Sequence, residues 1–436
     1  MDVAVVGGGI VGLASAYYLA ERGADVTVYE KGSLGNGSTE RSVGGIRAQF
    51  STPVNVDLSL ESMDVWESFE STFGTDIAYR RPGYLFAARE PATARAFEEQ
   101  VAMQNDRGVP SVLLDPEEAT EHCPGLRADQ FVAATYSPTD GFADPHLALQ
   151  GFAAAAREAG AEILTQTDVT AIHRERGTGA SDDAVTGVTA DGERSDASRT
   201  SKDERSESFG SERRDVDFVV NAAGPWARRV AAMAAVEIPV APKRRQMAVV
   251  DPETPVPEDV PLTIDLDTGS HFRPEREGAA LVGGHFESEE PRSSDRASGQ
   301  SPRADGEERP ASDTGGGADP NRDPDGFDRK MDLDWAAEAV ERAGDCATYF
   351  GPDSELRRGW AGLYAVTPDH HPIVEETVPG FVQAVGFSGH GFQHAPATGQ
   401  LVAELVLDGE ASLVDVSALG SDRFERGDLL EERNVA

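Results

Sequence analysis

Three glycines near the start of the chain, Gly7, Gly9 and Gly12, stand in G-x-G-x-x-G spacing, and a carboxylate, Glu30, follows eighteen residues after the last of them. These residue types suit a phosphate-bearing ligand. Gly7 permits a tight turn, Gly9 lets the backbone approach a pyrophosphate, and Gly12 lets a helix pack closely on a strand. A helix opening at Ile10 and Val11 would offer unpaired N–H groups and its positive dipole end to the phosphates. Glu30, with Lys31 beside it, can accept hydrogen bonds from ribose hydroxyls. The pattern alone leaves the choice of dinucleotide open.

Two further groups narrow the choice. Residues 37–42 (Gly37, Ser38, Thr39, Glu40, Arg41, Ser42) are followed by Gly44, Gly45, Ile46 and Arg47. Small polar residues bring backbone and hydroxyl groups close to a ligand, and paired glycines suit a flat ring lying on the backbone. Far along the chain, Gly386-Phe387-Ser388-Gly389-His390-Gly391-Phe392-Gln393 ends an apolar run and opens a helix at Ala395-Pro396-Ala397. This makes a second anion-friendly helix N-terminus. A nicotinamide does not need one. A reduced flavin, negative along its pyrimidine edge, would be stabilised by it.

The elements that must position these groups are legible in outline. Residues 3–6 form an apolar run expected as a strand buried on both faces, 11–21 a helix ending at Gly23, and 25–29 a second strand. Residues 3–20 carry no charge. They could suggest a membrane span or a signal peptide, but four glycines, the lack of a basic leader and the β-like segment that follows favour the strand–glycine–helix reading. Further helices are expected at 52–73, 93–107, 115–122, 148–159, 332–343 and 395–407. Strands are expected near 161–173, 184–190, 216–223, 243–250, 270–284 and 380–386, with a strand pair over 360–374 turned by Pro372. Residues 191–214 and 287–325 are rich in Asp, Ser, Arg, Gly and Pro, with almost nothing large and apolar. They are expected to be acidic disordered insertions, unable to bury enough surface to offset their ordering entropy. His370 and His371 beside Asp369 are expected to form a turn before Pro372, and no metal site is expected.

Composition sets the class. A chain of 436 residues has room for two domains and an ample core. The formal net charge is −38, which excludes nucleic acid and anionic membrane surfaces as natural partners. A surface this acidic repels itself in dilute salt and is screened in molar salt, where the Debye length is about 3 Å. It indicates adaptation to a salt-rich cytoplasm. Two cysteines, Cys123 and Cys346, form no disulfide framework and fit a reducing, cytoplasmic compartment.

The chain resembles the FAD-dependent oxidoreductases of the D-amino-acid oxidase superfamily, in the branch of sarcosine oxidase β-subunits, glycine oxidase, dimethylglycine dehydrogenase and dye-linked proline dehydrogenase. The resemblance rests on VAVVGGGIVGLASAYYLAERGADVTVYEK, GSTERSVGGIRAQF, VVNAAGPWA, HFRPEREGAALVGG, LYAVTPDHHPIV and GFSGHGFQHAPATGQLVAEL, in family order across nearly the whole chain. It implies an α/β fold: a Rossmann-like FAD-binding domain of glutathione-reductase type (1–85, 142–230 and 345–420) and a substrate domain with a mixed, largely antiparallel sheet and helices (86–141 and 231–344). It implies FAD held by Gly7, Gly9, Ile10, Val11, Gly12, Glu30 and Lys31 at the ADP half. Ser38, Thr39, Arg41, Gly44, Gly45 and Ile46 would lie along the ribityl chain and ring. Val169 would sit by adenine, and Ala223, Gly224 and Trp226 near the pyrophosphate. Gly362, Gly389, His390, Gly391, Phe392 and Gln393 would hold the flavin.

The implied reaction is oxidation of a C–N bond in an amino acid or N-methylated amine by hydride transfer to flavin, followed by imine hydrolysis and electron delivery to dioxygen or a redox carrier. Arg47, Tyr364, His390 and Gln393 are the catalytic candidates, with Gln49 and Arg273 as further pocket candidates. Covalent relatives carry a cysteine just before the tyrosine of the LYAVTPD-like motif. Gly362 and Leu363 stand there, so FAD is expected to be non-covalent. Some relatives use a lysine after GHGF and an arginine three residues past Arg47, where this chain has Gln393 and Phe50. The oxygen-activating lysine of such relatives has no match around residues 271–273. Two alternatives accompany this reading: a flavin subunit of a multi-subunit amine dehydrogenase, and a non-catalytic flavoprotein like the mitochondrial assembly factor for respiratory complex I, which is similar at the C-terminal motif.

Overall fold

The computed structural model describes residues 1–176, 183–192, 211–286 and 323–435. Its centre is a six-stranded sheet in the order Ile373–Val378, Phe381–Val385, Phe218–Asn221, Asp2–Val6, Asp25–Tyr29, Glu162–Leu164. The strands run parallel except the first, which pairs antiparallel with its neighbour. The strand Asp2–Val6 is apolar throughout its last four residues because both its faces are covered. Val3 and Val5 enter the core shared with helices, while Ala4 and Val6 enter a second core beneath a three-stranded sheet. Parallel strands buried on two sides read as continuous apolar runs for this reason.

The helix Ile10–Glu21 follows the glycine turn and packs against Gly391–Leu407 and Pro145–Glu158. At the first contact a Cβ on Gly399 would lie 2.7 Å from the carbonyl carbon of Ala14. The two backbones therefore approach as closely as glycine allows, and both helix N-termini open on one cavity.

The second sheet has eight strands and is antiparallel except where Leu262–Asp265 pairs with Tyr84–Ala88. Its alternation sorts two environments. Leu85, Ala87, Ala248, Val250, Phe272 and Val282 share a core with Trp335, Ala336, Ala339 and Ala343 of the helix Leu333–Cys346. The intervening Tyr84, Arg245, Met247, Leu262, Ile264 and His271 line the cavity instead. The fold is the α/β type with a Rossmann-like sheet and a mixed, largely antiparallel one.

Three expectations change. The strand pair over 360–374 does not exist: Glu355–Val366 pairs with Ala241–Asp251 in the eight-stranded sheet, and Ile373–Val378 joins the six-stranded one. The intervening turn, with His370 at φ +62, carries the chain between sheets. Residues 355–366, expected in the FAD-binding portion, thus belong by pairing to the other sheet. The helix expected over 52–73 breaks at Ser68 into Pro53–Glu67 and Phe69–Phe73. Of the insertions expected at 191–214 and 287–325, residues 193–210 and 287–322 lie outside the described residues. Their flanks are ordered: Glu212–Asp215 pairs with Asp183–Gly192 through residues 187–190. An edge strand held by main-chain hydrogen bonds needs no apolar side chains, which is why composition misses it.

Candidate functional site

A cavity of about 470 Å³ lies between the carboxyl ends of the parallel strands and the eight-stranded sheet. Its phosphate end is built as the glycine spacing requires. Gly7 has φ +114, and a Cβ there would lie 2.5 Å from the carbonyl oxygen of Ala222. A Cβ on Gly12 would lie 2.0 Å from the Gly7 oxygen, so this glycine closes helix on strand and does not itself line the cavity. Gly9 caps the helix, and the Ile10 N–H donates to Thr39 Oγ1 at 3.2 Å. Glu30 accepts from the N–H groups of Gly8 (2.8 Å) and Gly32 (2.7 Å), which fix its carboxylate at the cavity wall.

The loop after Glu30 is pinned across the cavity to the second sheet. Ser38 donates to the Leu363 carbonyl, Arg41 donates to the carbonyls of Asn36 and Gly37, and Trp360 donates to the Arg41 carbonyl. A Cβ on Gly362 would lie 2.9 Å from that of Arg41. Gly45 lines the cavity, whereas Ile46 is wholly buried and Gly44 (φ +73) packs on the Ala143 carbonyl. Thus Gly12, Gly44 and Ile46, among the residues expected at the cofactor, shape the wall from behind. The others line the cavity: Val169, Ala223, Gly224 and Trp226 at the Glu30 end, with Tyr364, Gly389, His390, Gly391, Phe392 and Gln393 at the other. Gly389 (φ +101) is required by the Tyr364 ring, which would lie 2.4 Å from a Cβ.

The catalytic candidates separate. Tyr364 faces His285 edge-on, with ring centroids 5.6 Å apart. Gln393 spends its side-chain oxygen on the Arg47 N–H (2.8 Å). The Arg47 guanidinium is buried and donates to the carbonyls of Gln49 and Asn434, with Nη2 3.2 Å from His390 Nε2. It also lies over the Phe50 ring, 3.9 Å from the centroid. Its terminal nitrogens already have protein acceptors, which disfavours a carboxylate-gripping role. Gln49 and Arg273 do not line the cavity: Gln49 bonds Tyr84, Asp140 and Thr135, and Arg273 covers Phe142. Asp369 pairs with Arg423, and His371 bonds Thr52.

Residue patterns did not single out Arg245, His271 or His285, which line the cavity. Burial pushes His271 down to about 4, and burial with Arg245 and His271 nearby pushes His285 well below the usual imidazole range. Nδ1 of His271 finds no hydrogen-bond partner among the described residues. The alternation of HFRP and the Gly283-Gly284-His285 end of the next strand were the available signals. They become legible only once the sheet's cavity face is known. Among the described residues, six cationic side chains, Lys31, Arg41, Arg47, Arg229, Arg245 and Arg329, line the cavity against three acids, Glu30, Asp168 and Asp325. A positive cleft in so acidic a chain suits an anionic dinucleotide.

A family model described as FAD dependent oxidoreductase matches residues 2–405. The chain belongs to this FAD-dependent oxidoreductase family. It is 31% identical over 465 aligned positions to "FAD-dependent oxidoreductase domain-containing protein 1" of Xenopus laevis, covering all of this chain and 84% of that protein. It is 27% identical to mitochondrial dimethylglycine dehydrogenase of Rattus norvegicus, covering 97% of this chain but 45% of that one. Among solved structures, L-proline dehydrogenase from P. horikoshii superposes with a TM-score of 0.78 at 30% identity, covering 98% of both chains. The protein is therefore an FAD-dependent oxidoreductase of the amino-acid and amine oxidase class. The glycine-lined wall, Glu30, the paired helix N-termini and the positive lining fit FAD. Among the described residues, no helix is long and apolar enough to cross a membrane.

Proposed function

We propose that this FAD-dependent oxidoreductase oxidises the C–N bond of a small amino acid or N-methylated amine, of the sarcosine, glycine, dimethylglycine or proline class. The observation that carries the reading is the far end of the cavity, where His271 and His285 are buried and held neutral beside Tyr364 and Arg245. Bound FAD supplies the acceptor for the hydride. The chain's part is to place the substrate: neutral imidazoles beside Tyr364 leave room for an uncharged amine. Such sites act by positioning and preorganised charge.

FAD is held without a covalent bond on this reading, since neither Cys123 nor Cys346 lines the cavity and Leu363 precedes Tyr364. Lys31 is the lysine on the cavity wall, and its Nζ lies 2.6 Å from Asp325. Lys243 pairs across the sheet with Tyr364, so the electron acceptor is left between dioxygen and a redox carrier on this reading.

The test is anaerobic titration of the holoenzyme, in molar salt, with sarcosine, dimethylglycine, glycine and proline. Bleaching of the flavin band by one of them is expected, and the relative rates of reoxidation by a dye and by oxygen then identify the acceptor. A fully loaded enzyme that no member of the panel bleaches would overturn the reading in favour of a non-catalytic flavoprotein.

A further inference from the structure

Residues 432–434 are Glu, Arg and Asn, a polar segment with no apolar side chain to bury. Yet Glu432 and Asn434 are 1% and 2% exposed. The Glu432 carboxylate sits at the N-terminus of the helix Pro53–Glu67. One oxygen accepts from Ser51 N (2.8 Å), Ser51 Oγ (2.7 Å) and Asn434 N (3.1 Å), and the other from Thr52 Oγ1 (2.7 Å) and Asn55 Nδ2 (3.1 Å). Thr52, the N-cap residue, makes no side-chain cap bond of its own. Asn434 Nδ2 donates to the Gln49 carbonyl and to Gln100 Oε1, and the Asn434 carbonyl accepts the Arg47 guanidinium.

A fully buried carboxylate is costly unless it is saturated with donors and the arrangement holds something in place. What this one holds is a segment ending on Arg47. Arg47 lines the cavity, and its Nη2 reaches His390 Nε2 at the N-terminus of the helix Gly391–Leu407. Burial presses the guanidinium toward its neutral form, and Glu432 is the foremost charge opposing that pressure.

We propose that Glu432 and Asn434 are positioning residues that fix the Arg47 cation at the flavin-ring end of the cavity, so that this C-terminal strap tunes the bound cofactor's reduction potential. The inference rests on the cavity being the FAD site. A cation held against the ring end favours the negatively charged reduced cofactor, and a cation allowed to drift favours it less.

The test compares wild type, E432A, E432Q, R47M and the double variant E432A/R47M, purified in molar salt. FAD content, melting temperature and flavin midpoint potential are measured for each. E432A is expected to keep its FAD and to weaken reduced relative to oxidised cofactor binding by roughly three- to tenfold, about 15–30 mV lower for a two-electron couple. E432Q, which keeps the side-chain volume and one of the two acceptor oxygens, should shift the potential in the same direction by less. In the R47M background the E432A change should move the melting temperature but not the potential. Unmoved potential in loaded E432A or E432Q, or an equal shift with and without Arg47, overturns the proposal while leaving the FAD site standing. A wild type that binds no FAD overturns both.

Discussion

Asp140 and the buried histidines respond to acid in opposite directions. Burial raises the Asp140 carboxyl to about 6, although Ala48 N and Gln49 donate to it. Its folded value lies above its unfolded one. Its contribution to stability is therefore full below about pH 4 and lost as pH rises through 6. Burial depresses His271 to about 4 and His394 to about 3, and holds His285 and His390 well below the usual range. Their contribution is full above about pH 6.5 and lost as pH falls toward those values. The Asp140 and His271 shifts are each worth on the order of 3 kcal/mol. Four imidazoles outweigh one carboxyl, so the protein should lose stability between pH 6.5 and 4. In D140N that loss should steepen. Urea unfolding of both proteins across this range should show wild type gaining about 1–3 kcal/mol on the variant at the acid end.

At the scale of elements, the site depends on what each secondary structure presents at its end. The helices Ile10–Glu21 and Gly391–Leu407 begin at glycine turns and cross at Ala14 and Gly399, which brings two positive dipole ends to one cavity. The Glu30 end carries a clasp as well. Asp325 accepts from Lys31 Nζ (2.6 Å), Arg229 (2.7 Å) and Trp226 Nε1 (2.8 Å), while Asp323 takes the other Arg229 nitrogen (2.6 Å). Lys31 also lies 3.9 Å from the Trp226 ring centroid. Burial opposes the Asp325 charge, but the donors hold its carboxyl at about 2. The side chains are about half exposed, so screening limits the clasp to about 0.5–1 kcal/mol. D325A should accordingly release FAD roughly two- to fivefold faster at low ionic strength, with the difference vanishing in molar salt. Stopped-flow fluorescence of the released flavin would measure it.

The whole molecule carries −38 formal charges around a cavity whose lining is net cationic. The outer surface repels itself over a Debye length of about 10 Å at 0.1 M salt and about 3 Å at 1 M. The melting temperature should rise by roughly 5 °C or more between 0.1 and 2 M KCl. A protein equally stable at both concentrations would remove salt adaptation as the reason for the charge.

The glycine spacing, Glu30, residues 37–42 and the turn 386–393 were legible from sequence as parts of one site, and the fold brings them to one cavity, because backbone conformation there depends on local residue types. Gly7, Gly389 and their partners stand where short-range sterics require them. The histidine end of the cavity was not legible in the same way. Arg245 and His271 come from two strands of one sheet and His285 follows the end of a third, Ala280–Gly284, and only strand pairing shows that they meet at one cavity. Arg47 read as a catalytic candidate after the paired glycines. Its real environment is set by Asn434, 387 residues away in sequence. Local geometry follows from neighbouring residues. The partners of a buried charge follow from how the chain closes on itself, and that is decided by the tertiary fold.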